Sequence, residues 1–120
     1  MTTRRKSNPA FLNGVPEMLI LRLLSQRPMY GYELVQAIRR STHEGLEFGE
    51  GCVYPILHRL EAESLLKSRR ESVAGRERVV YQVTAKGRAE LTETVASWRQ
   101  VVESINHALQ GGERGNRALA

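Results

Sequence analysis

The stretch EGCVYPILHRLE, residues 50–61, decides the fold of this chain of 120 residues. Four of its apolar side chains recur at the i, i+3, i+4 and i+7 spacing that places them on one face of a helix: Val53, Ile56, Leu57 and Leu60. Pro55 is compatible with this helix because the backbone N–H groups of a first helical turn have no partner within the helix. The stretch therefore predicts a helix over about residues 51–63, with an apolar face opposite a face of polar and small side chains.

Two helices are predicted before this one. The first begins near Val15, where Pro16 and Glu17 suit the first turn, and it ends before Pro28. It is apolar on most sides, which places it in the core. The second runs over about residues 31–42, with its apolar residues at helical spacing.

The hydrophobic period changes to 2 in VVYQVT, residues 79–84, which predicts a β-strand. Residues 66–70 can form its partner strand, and Ala74 and Gly75 supply the turn between them. The sequence thus predicts a β-hairpin with a basic tip and basic flanks. A separate short extended stretch is expected at residues 46–48.

Positive charge is concentrated around this hairpin. The chain has 18 Lys and Arg against 13 Asp and Glu, a net charge of +5. Residues 66–88 contain seven basic and two acidic residues, so this segment holds the entire excess. A local positive patch predicts a polyanionic partner, with nucleic acid favoured over a membrane surface. A solvated charged surface is the alternative that charge alone leaves open.

A long helix is predicted after Thr84, a residue type favoured at helix N-caps. Its apolar residues are spaced alternately by four and three, the heptad pattern of a helix–helix seam: Leu91, Val95, Trp98, Val102, Ile105 and Leu109. This helix would be about 37 Å long, more than so small a domain can cover. The seam predicts pairing with a second copy of the chain, and packing against the chain's own first helix is the alternative.

The sequence shows no catalytic or metal-binding constellation. Cys52 is the only cysteine, and the three histidines lack the spacing of a metal site. A helix N-terminus could lower the pKa of the Cys52 thiol, but no base is evident nearby, so a plain core or interface cysteine is favoured over a nucleophile. We expect no enzyme activity, cofactor or metal. Because no apolar run could span a bilayer and no signal segment is evident, we expect a cytoplasmic protein without a membrane partner.

The order helix, helix, short strand, helix, hairpin predicts a mostly α fold with a small β-hairpin, the winged helix-turn-helix, followed by a long C-terminal helix. We expect residues 1–14 to be a flexible basic tail, 15–84 a DNA-binding domain, 85–110 a dimerisation helix and 111–120 a flexible tail. The third helix would enter the major groove, and the hairpin arginines would contact phosphates or the minor groove. A winged module that binds protein instead of DNA is the alternative.

Three ordered blocks sharpen this prediction. They read PMYGYEL at residues 28–34, EGCVYPILHRLE at residues 50–61 and RVVYQVTAKG at residues 78–87. In these blocks, and over about residues 11–109, the chain resembles the short form of the PadR family of bacterial transcriptional regulators. The resemblance implies a homodimeric repressor that binds a pseudo-palindromic operator in double-stranded DNA, with the C-terminal helices forming the dimer.

The candidate DNA-binding residues come from these blocks and from the hairpin: Tyr30, Gly51, Cys52, Tyr54, Pro55, His58, Arg59, Arg69, Arg70, Arg76 and Arg78. Alternatives stay open for three side chains. Tyr54 contacts DNA or packs under the hairpin with its hydroxyl satisfied locally. Tyr32 touches phosphate or packs in the core. Arg59 reads a guanine or pairs with Glu63 at i+4.

Two residues depart from the family pattern. Cys52 replaces the usual Ser or Thr, which puts one phosphate contact in doubt because a thiol is a weak hydrogen-bonding group. Ser64 replaces a common Gly after the third helix, which predicts a different helix end. Trp98 is either a large apolar anchor of the dimer or, as family members that sense aromatic compounds imply, half of a clamp for a planar aromatic effector.

Overall fold

The computed structural model describes residues 12–119, with side chains up to residue 111. It confirms a winged helix with a long C-terminal helix. The elements in chain order are α1 (Val15–Gln26), β1 (Met29–Tyr30), α2 (Gly31–Ser41), α3 (Glu50–Ala62), β2 (Leu66–Val73), β3 (Arg76–Val83) and α4 (Ala85–Leu119). The predicted tail at residues 1–14 lies mostly outside the described residues. Of the helices described, none is both long and apolar enough to cross a membrane.

The short strand does not lie where the sequence placed it. Residues 46–48 form no strand, and β1 instead precedes α2. The reason is pairing: Met29 and Tyr30 lie opposite Tyr81 and Val80 in an antiparallel ladder, which gives a sheet of order β1-β3-β2. The expected strand at residues 46–48 is therefore wrong.

The hairpin, called the wing below, forms as predicted. Strands β2 and β3 pair from Leu66 opposite Val83 to Val73 opposite Arg76, so only two residues remain for the turn. Ala74 and Gly75 both have positive φ, 53° and 79°. This is the backbone that two-residue hairpin turns require, because its twist matches that of the strands.

The core is built around α1, which contributes apolar side chains on most sides. The largest fully buried residues of the core come from all three N-terminal helices and the start of the wing: Ile20, Leu24, Leu34, Ile38, Val53, Leu57 and Leu66. The apolar face predicted for α3 is therefore the face that packs inward. Its opposite face is left to solvent.

Helix α3 ends at a left-handed residue, Ser64, with φ 66°. The N–H of Ser64 donates to the carbonyl of Glu61 at 3.0 Å, and that of Leu65 to the carbonyl of Leu60 at 2.9 Å. These are the two hydrogen bonds of a helix end that usually carries glycine. The different helix end expected from the Gly-to-Ser departure is therefore wrong, and Ser64 adopts the left-handed backbone itself.

Helix α4 is longer than predicted and only its first part belongs to the core. It continues to Leu119, past the end expected at residue 110, because a helix that is already propagating can include Gly111, Gly112 and Gly115 at a cost of about 1 kcal/mol each. Leu91 is buried, 8% exposed, in the core of its own protomer, as the alternative reading of the seam had it. Beyond it, exposure rises from 39% at Trp98 to 53% at Ile105 and 63% at Leu109. The radius of gyration is 18.0 Å, against about 14 Å for a compact chain of this length, because α4 projects from the body.

Candidate nucleic-acid interface

The exposed face of α3 presents a narrow strip of small and polar side chains. Gly51, Pro55 and His58 are exposed along it at helical spacing. Nothing lies within 4 Å of the position a Cβ would take at Gly51, so the start of the strip is open to a close partner. We call these three residues the α3 strip.

Tyr54 borders the strip on the side of α2. It is half-buried, and a Cβ on Gly31 would lie 2.5 Å from its ring, so only glycine fits at the start of α2. Within the described part of the chain, the Tyr54 hydroxyl makes no hydrogen bond, so the structure does not show the local partner that one alternative required. Burial and the charge of Glu50 raise the pKa of Tyr54, which keeps its phenol neutral and able to donate.

The beginning of α2 lies beside Tyr54. The backbone N–H of Tyr30 donates to Oε1 of Glu33 at 3.1 Å, which fixes the entry into the helix. Tyr32 is 52% exposed, so the alternative that it packs in the core is wrong. Positive charge at the helix N-terminus adds to the attraction for an anion here.

The wing closes the other side of this space. Arg78 lies over the ring of Tyr30, 4.4 Å from its centroid, in a cation–π contact. The side chain of Arg76, next to the turn, has no hydrogen bond or ion pair to any residue that the structure describes. Together with parts of α2 and α3, these residues form a groove of about 550 Å³, lined by Tyr30, Gly31, Tyr32, Tyr54, Arg76, Glu77, Arg78 and Val79. We call it the tyrosine–arginine groove.

The two other wing arginines carry ion pairs on the surface. Arg69 lies 2.7 Å from Glu71, and Arg70 lies 3.0 Å from Glu77. Each of the four side chains is more than 40% exposed, so either pair contributes about 0–1 kcal/mol. A phosphate can therefore replace either carboxylate at little cost.

Arg59 lies on the side of α3 that faces α1. Its guanidinium contacts Oε2 of Glu17 and lies 3.5 Å from Oε2 of Glu63. The pairing with Glu63 is the i+4 alternative, and the contact with Glu17 could not be predicted because it joins residues 42 apart. The Arg59 guanidinium, which was expected to approach DNA, is therefore paired with two carboxylates.

Cys52 lies on the same side and packs against the core. Burial and the nearby charge of Glu17 raise the pKa of its thiol, whereas its place near a helix N-terminus suggested the opposite. Less of it is therefore thiolate near neutral pH than in a free cysteine. Its side chain lies at the edge of the α3 strip and not within it.

Trp98 lies near the beginning of α1, where Val15 and Met18 line the same groove. It borders a groove of about 410 Å³ that also includes Glu90 and Glu93, and a second of about 660 Å³ that includes Arg22 and Arg99. The side chain is 39% exposed in one protomer, so it is available to a second chain or to a ligand.

One feature of the interface was missed from the sequence: Gly31 is required by the contact with Tyr54. Tyr32, for which contact with phosphate was one of two alternatives, faces the tyrosine–arginine groove. Both belong to the block at residues 28–34, whose glycine between two tyrosines was the available signal for Gly31.

The chain is similar to known regulators of transcription. Residues 20–93 match the Transcriptional regulator PadR-like family. Transcriptional regulator Rv3488 of Mycobacterium tuberculosis is 36% identical over 103 residues, which span 86% of this chain and 90% of that one. A transcriptional regulator from Clostridium thermocellum has a similar structure, with a TM-score of 0.76 at 28% identity over 82% of this chain and 96% of the other. A PadR-like transcriptional regulator from Bacillus cereus has a TM-score of 0.74 at 34% identity, and the match covers 85% of this chain and 98% of the other.

The fold, the exposed strip and the basic groove define a winged-helix DNA-binding protein. The chain belongs to the PadR-like family of transcriptional regulators. The resemblance seen in the three sequence blocks is thereby confirmed, and the three relatives named above are transcriptional regulators.

Proposed function

We propose that the protein is a repressor that binds a pseudo-palindromic operator as a homodimer, with one α3 in the major groove of each half-site. The observation that carries this proposal is the position of Tyr54, which borders the α3 strip and also lines the tyrosine–arginine groove. Side chains suited to base edges and side chains suited to phosphates lie next to each other. In this proposal residues 15–84 are the DNA-binding unit, residues 85–110 are the dimerisation helix, and the protein works in the cytoplasm.

At each half-site, the α3 strip faces the bases. Gly51 and Pro55 allow the helix to approach closely, and His58 offers a ring nitrogen to a base edge. The neutral Tyr54 hydroxyl donates to a phosphate at the groove wall. Arg76, whose side chain has no intramolecular partner among the described residues, contacts phosphate or the narrow minor groove.

The second half of α4 supplies the dimer contact. Trp98, Ile105 and Leu109 are all exposed in one protomer, as is Val101, which the heptad pattern omitted. An apolar row of this length is what a second helix covers in a coiled-coil seam. Two copies joined there present two recognition helices, which accounts for a two-part operator.

A planar aromatic effector is the second part of the proposal. The grooves on either side of Trp98 offer space beside an indole ring, and the dimer seam runs through the same residue. A ligand there would separate the α4 helices and change the distance between recognition helices. Quenching of Trp98 fluorescence by planar aromatic compounds, with matching loss of operator affinity, tests this; Trp98→Ala should remove the response and leave a dimer.

Selection of bound duplexes from a random DNA pool tests the main proposal. We expect enrichment of an inverted repeat, and a reporter with that repeat over its promoter should be repressed when the protein is present. Selection without enrichment, together with no retention on DNA even at low salt, would support a winged adaptor that binds protein instead.

A further inference from the structure

The first turn of α4 is bonded directly to the end of the recognition helix. The Thr84 hydroxyl lies within donating distance of two carbonyls, that of Ser64 at 2.8 Å and that of Leu65 at 3.1 Å. The same oxygen accepts from the N–H of Gly87 at 3.0 Å, and the Thr84 N–H donates to the Leu65 carbonyl at 3.1 Å. One residue therefore caps α4 and ties it to the segment that ends α3.

Lys86 adds a second link two residues further on. Its Nζ donates to the carbonyl of Glu63, at 3.0 Å, which is the C-cap of α3. A lysine at this end of a helix hydrogen-bonds a carbonyl that has no partner within the helix and lies at the negative end of the helix dipole. The link therefore joins the positive charge of Lys86 on α4 to the C-terminus of α3.

Gly87 shows how closely the two backbones approach. A Cβ at this position would lie 2.2 Å from the carbonyl oxygen of Leu65, so any other residue would force the segments apart. Arg88 then donates from Nη1 to the carbonyl of Ser25 at 3.3 Å, at the end of α1. The start of α4 thus touches the last turns of both α1 and α3.

We propose that Thr84 and Lys86 are positioning residues for operator recognition: they fix the angle between α3 and the dimerisation helix. A displacement of α4 in the dimer then reaches α3 through the end of that helix and does not depend on the wing. The alternative is that the same contacts only stabilise the fold. This inference rests on the proposed dimer and its two half-sites.

The test measures how sharply binding depends on half-site spacing. The probes are duplexes built from the sequence that the wild-type protein selects, with the spacing between half-sites changed one base pair at a time, and a duplex with a single half-site. Each added base pair rotates one half-site about 34° around the DNA axis, so a rigid dimer prefers one spacing. We expect Thr84→Val and Lys86→Met to reduce the affinity ratio between the best and the next spacing by about fivefold, while binding to the single half-site stays near the wild-type value.

Matched variants separate positioning from stability. Thr84→Ser keeps the hydroxyl and should restore the spacing preference. Thr92→Val removes a hydroxyl that bonds only within α4, to the carbonyl of Arg88 at 3.1 Å. This variant should leave the spacing preference unchanged. If Thr84→Val does not fold, Lys86→Met alone tests whether the contacts position α3. Lys86 is exposed, so we expect this variant to fold.

Two results would overturn the inference. If Lys86→Met and any folded Thr84→Val keep the wild-type spacing profile as dimers, even with a lower Tm, the contacts only stabilise the fold. If the wild-type protein itself binds one and two half-sites equally, the dimer operator fails and this inference fails with it.

Discussion

Ser64 holds a backbone conformation that its side chain disfavours. Its φ of 66° lies in the left-handed region, which costs an L-residue roughly 1–2 kcal/mol, while glycine adopts it freely. We expect Ser64→Gly to raise the free energy of unfolding by about 0.5–1 kcal/mol, after the greater freedom of glycine in the unfolded chain is subtracted. Urea denaturation measures it. Ser72→Gly, in strand β2 where no positive φ occurs, should lower stability instead; a loss of stability at both positions would contradict the account.

Arg59 lies on the side of α3 that faces α1, off the α3 strip, and from there we expect it to be a poor reader of bases. We expect Arg59→Ala to weaken binding to the selected operator and to a random duplex by the same small factor. His58→Ala, on the exposed strip, should cost about 1–3 kcal/mol on the operator and less on random DNA. Titration of both duplexes at one salt concentration compares the two variants. An operator-specific loss larger for Arg59→Ala than for His58→Ala would show that the ion pairs open on DNA.

Single residues show where sequence reasoning ends. The apolar face of α3 could be predicted because helical spacing is a local property of the chain. The partner of Arg59 could not, because Glu17 meets it only through the packing of α1 against α3. Leu91 and Ile105 belong to one heptad row, yet the first is buried by α1 and the second is exposed, since α1 covers only the start of α4.

Among the elements, we expect the wing to act through its charge. The Arg76 side chain has no intramolecular partner among the described residues, so a phosphate contact costs it no ion pair. We expect Arg76→Ala to weaken binding to all duplexes alike and to lower the slope of log affinity against log salt by about one unit. Arg40→Ala, which removes the same charge from the exposed far end of α2, is the matched control and should leave the slope unchanged. If both variants lowered the slope equally, the effect on DNA binding would come from net charge alone and not from a contact made by Arg76.

The elements also divide by what the sequence could predict. The wing was predictable because alternation and a two-residue turn are local signals. Strand β1 was not, because two residues carry no period, and only their pairing with Val80 and Tyr81 makes them a strand. Residues 46–48 form no strand because no other strand pairs with them, whatever their local preference for an extended backbone.

For the whole molecule, the exposed end of α4 predicts assembly. Ile105 and Leu109 are more than half exposed in one protomer. We expect the double variant Ile105→Asp with Leu109→Asp to sediment as a monomer of 13.6 kDa with a folded winged domain, because buried carboxylates oppose the apolar seam. Gln100→Asp, exposed but off the seam, should stay a dimer. A double variant that still sediments as a dimer would place the contact elsewhere.

The claim that two copies of α3 read two major grooves is tested most directly by removing major-groove acceptors one base at a time. In the selected duplex, each purine is replaced in turn by its 7-deaza analogue, which lacks the N7 acceptor and leaves the minor groove unchanged. The affinity of the wild-type protein for each duplex is then measured. We expect losses at two symmetry-related clusters of positions, about one helical turn or a multiple of it apart. Uniform affinity across all substitutions, or losses confined to a single cluster, would contradict it.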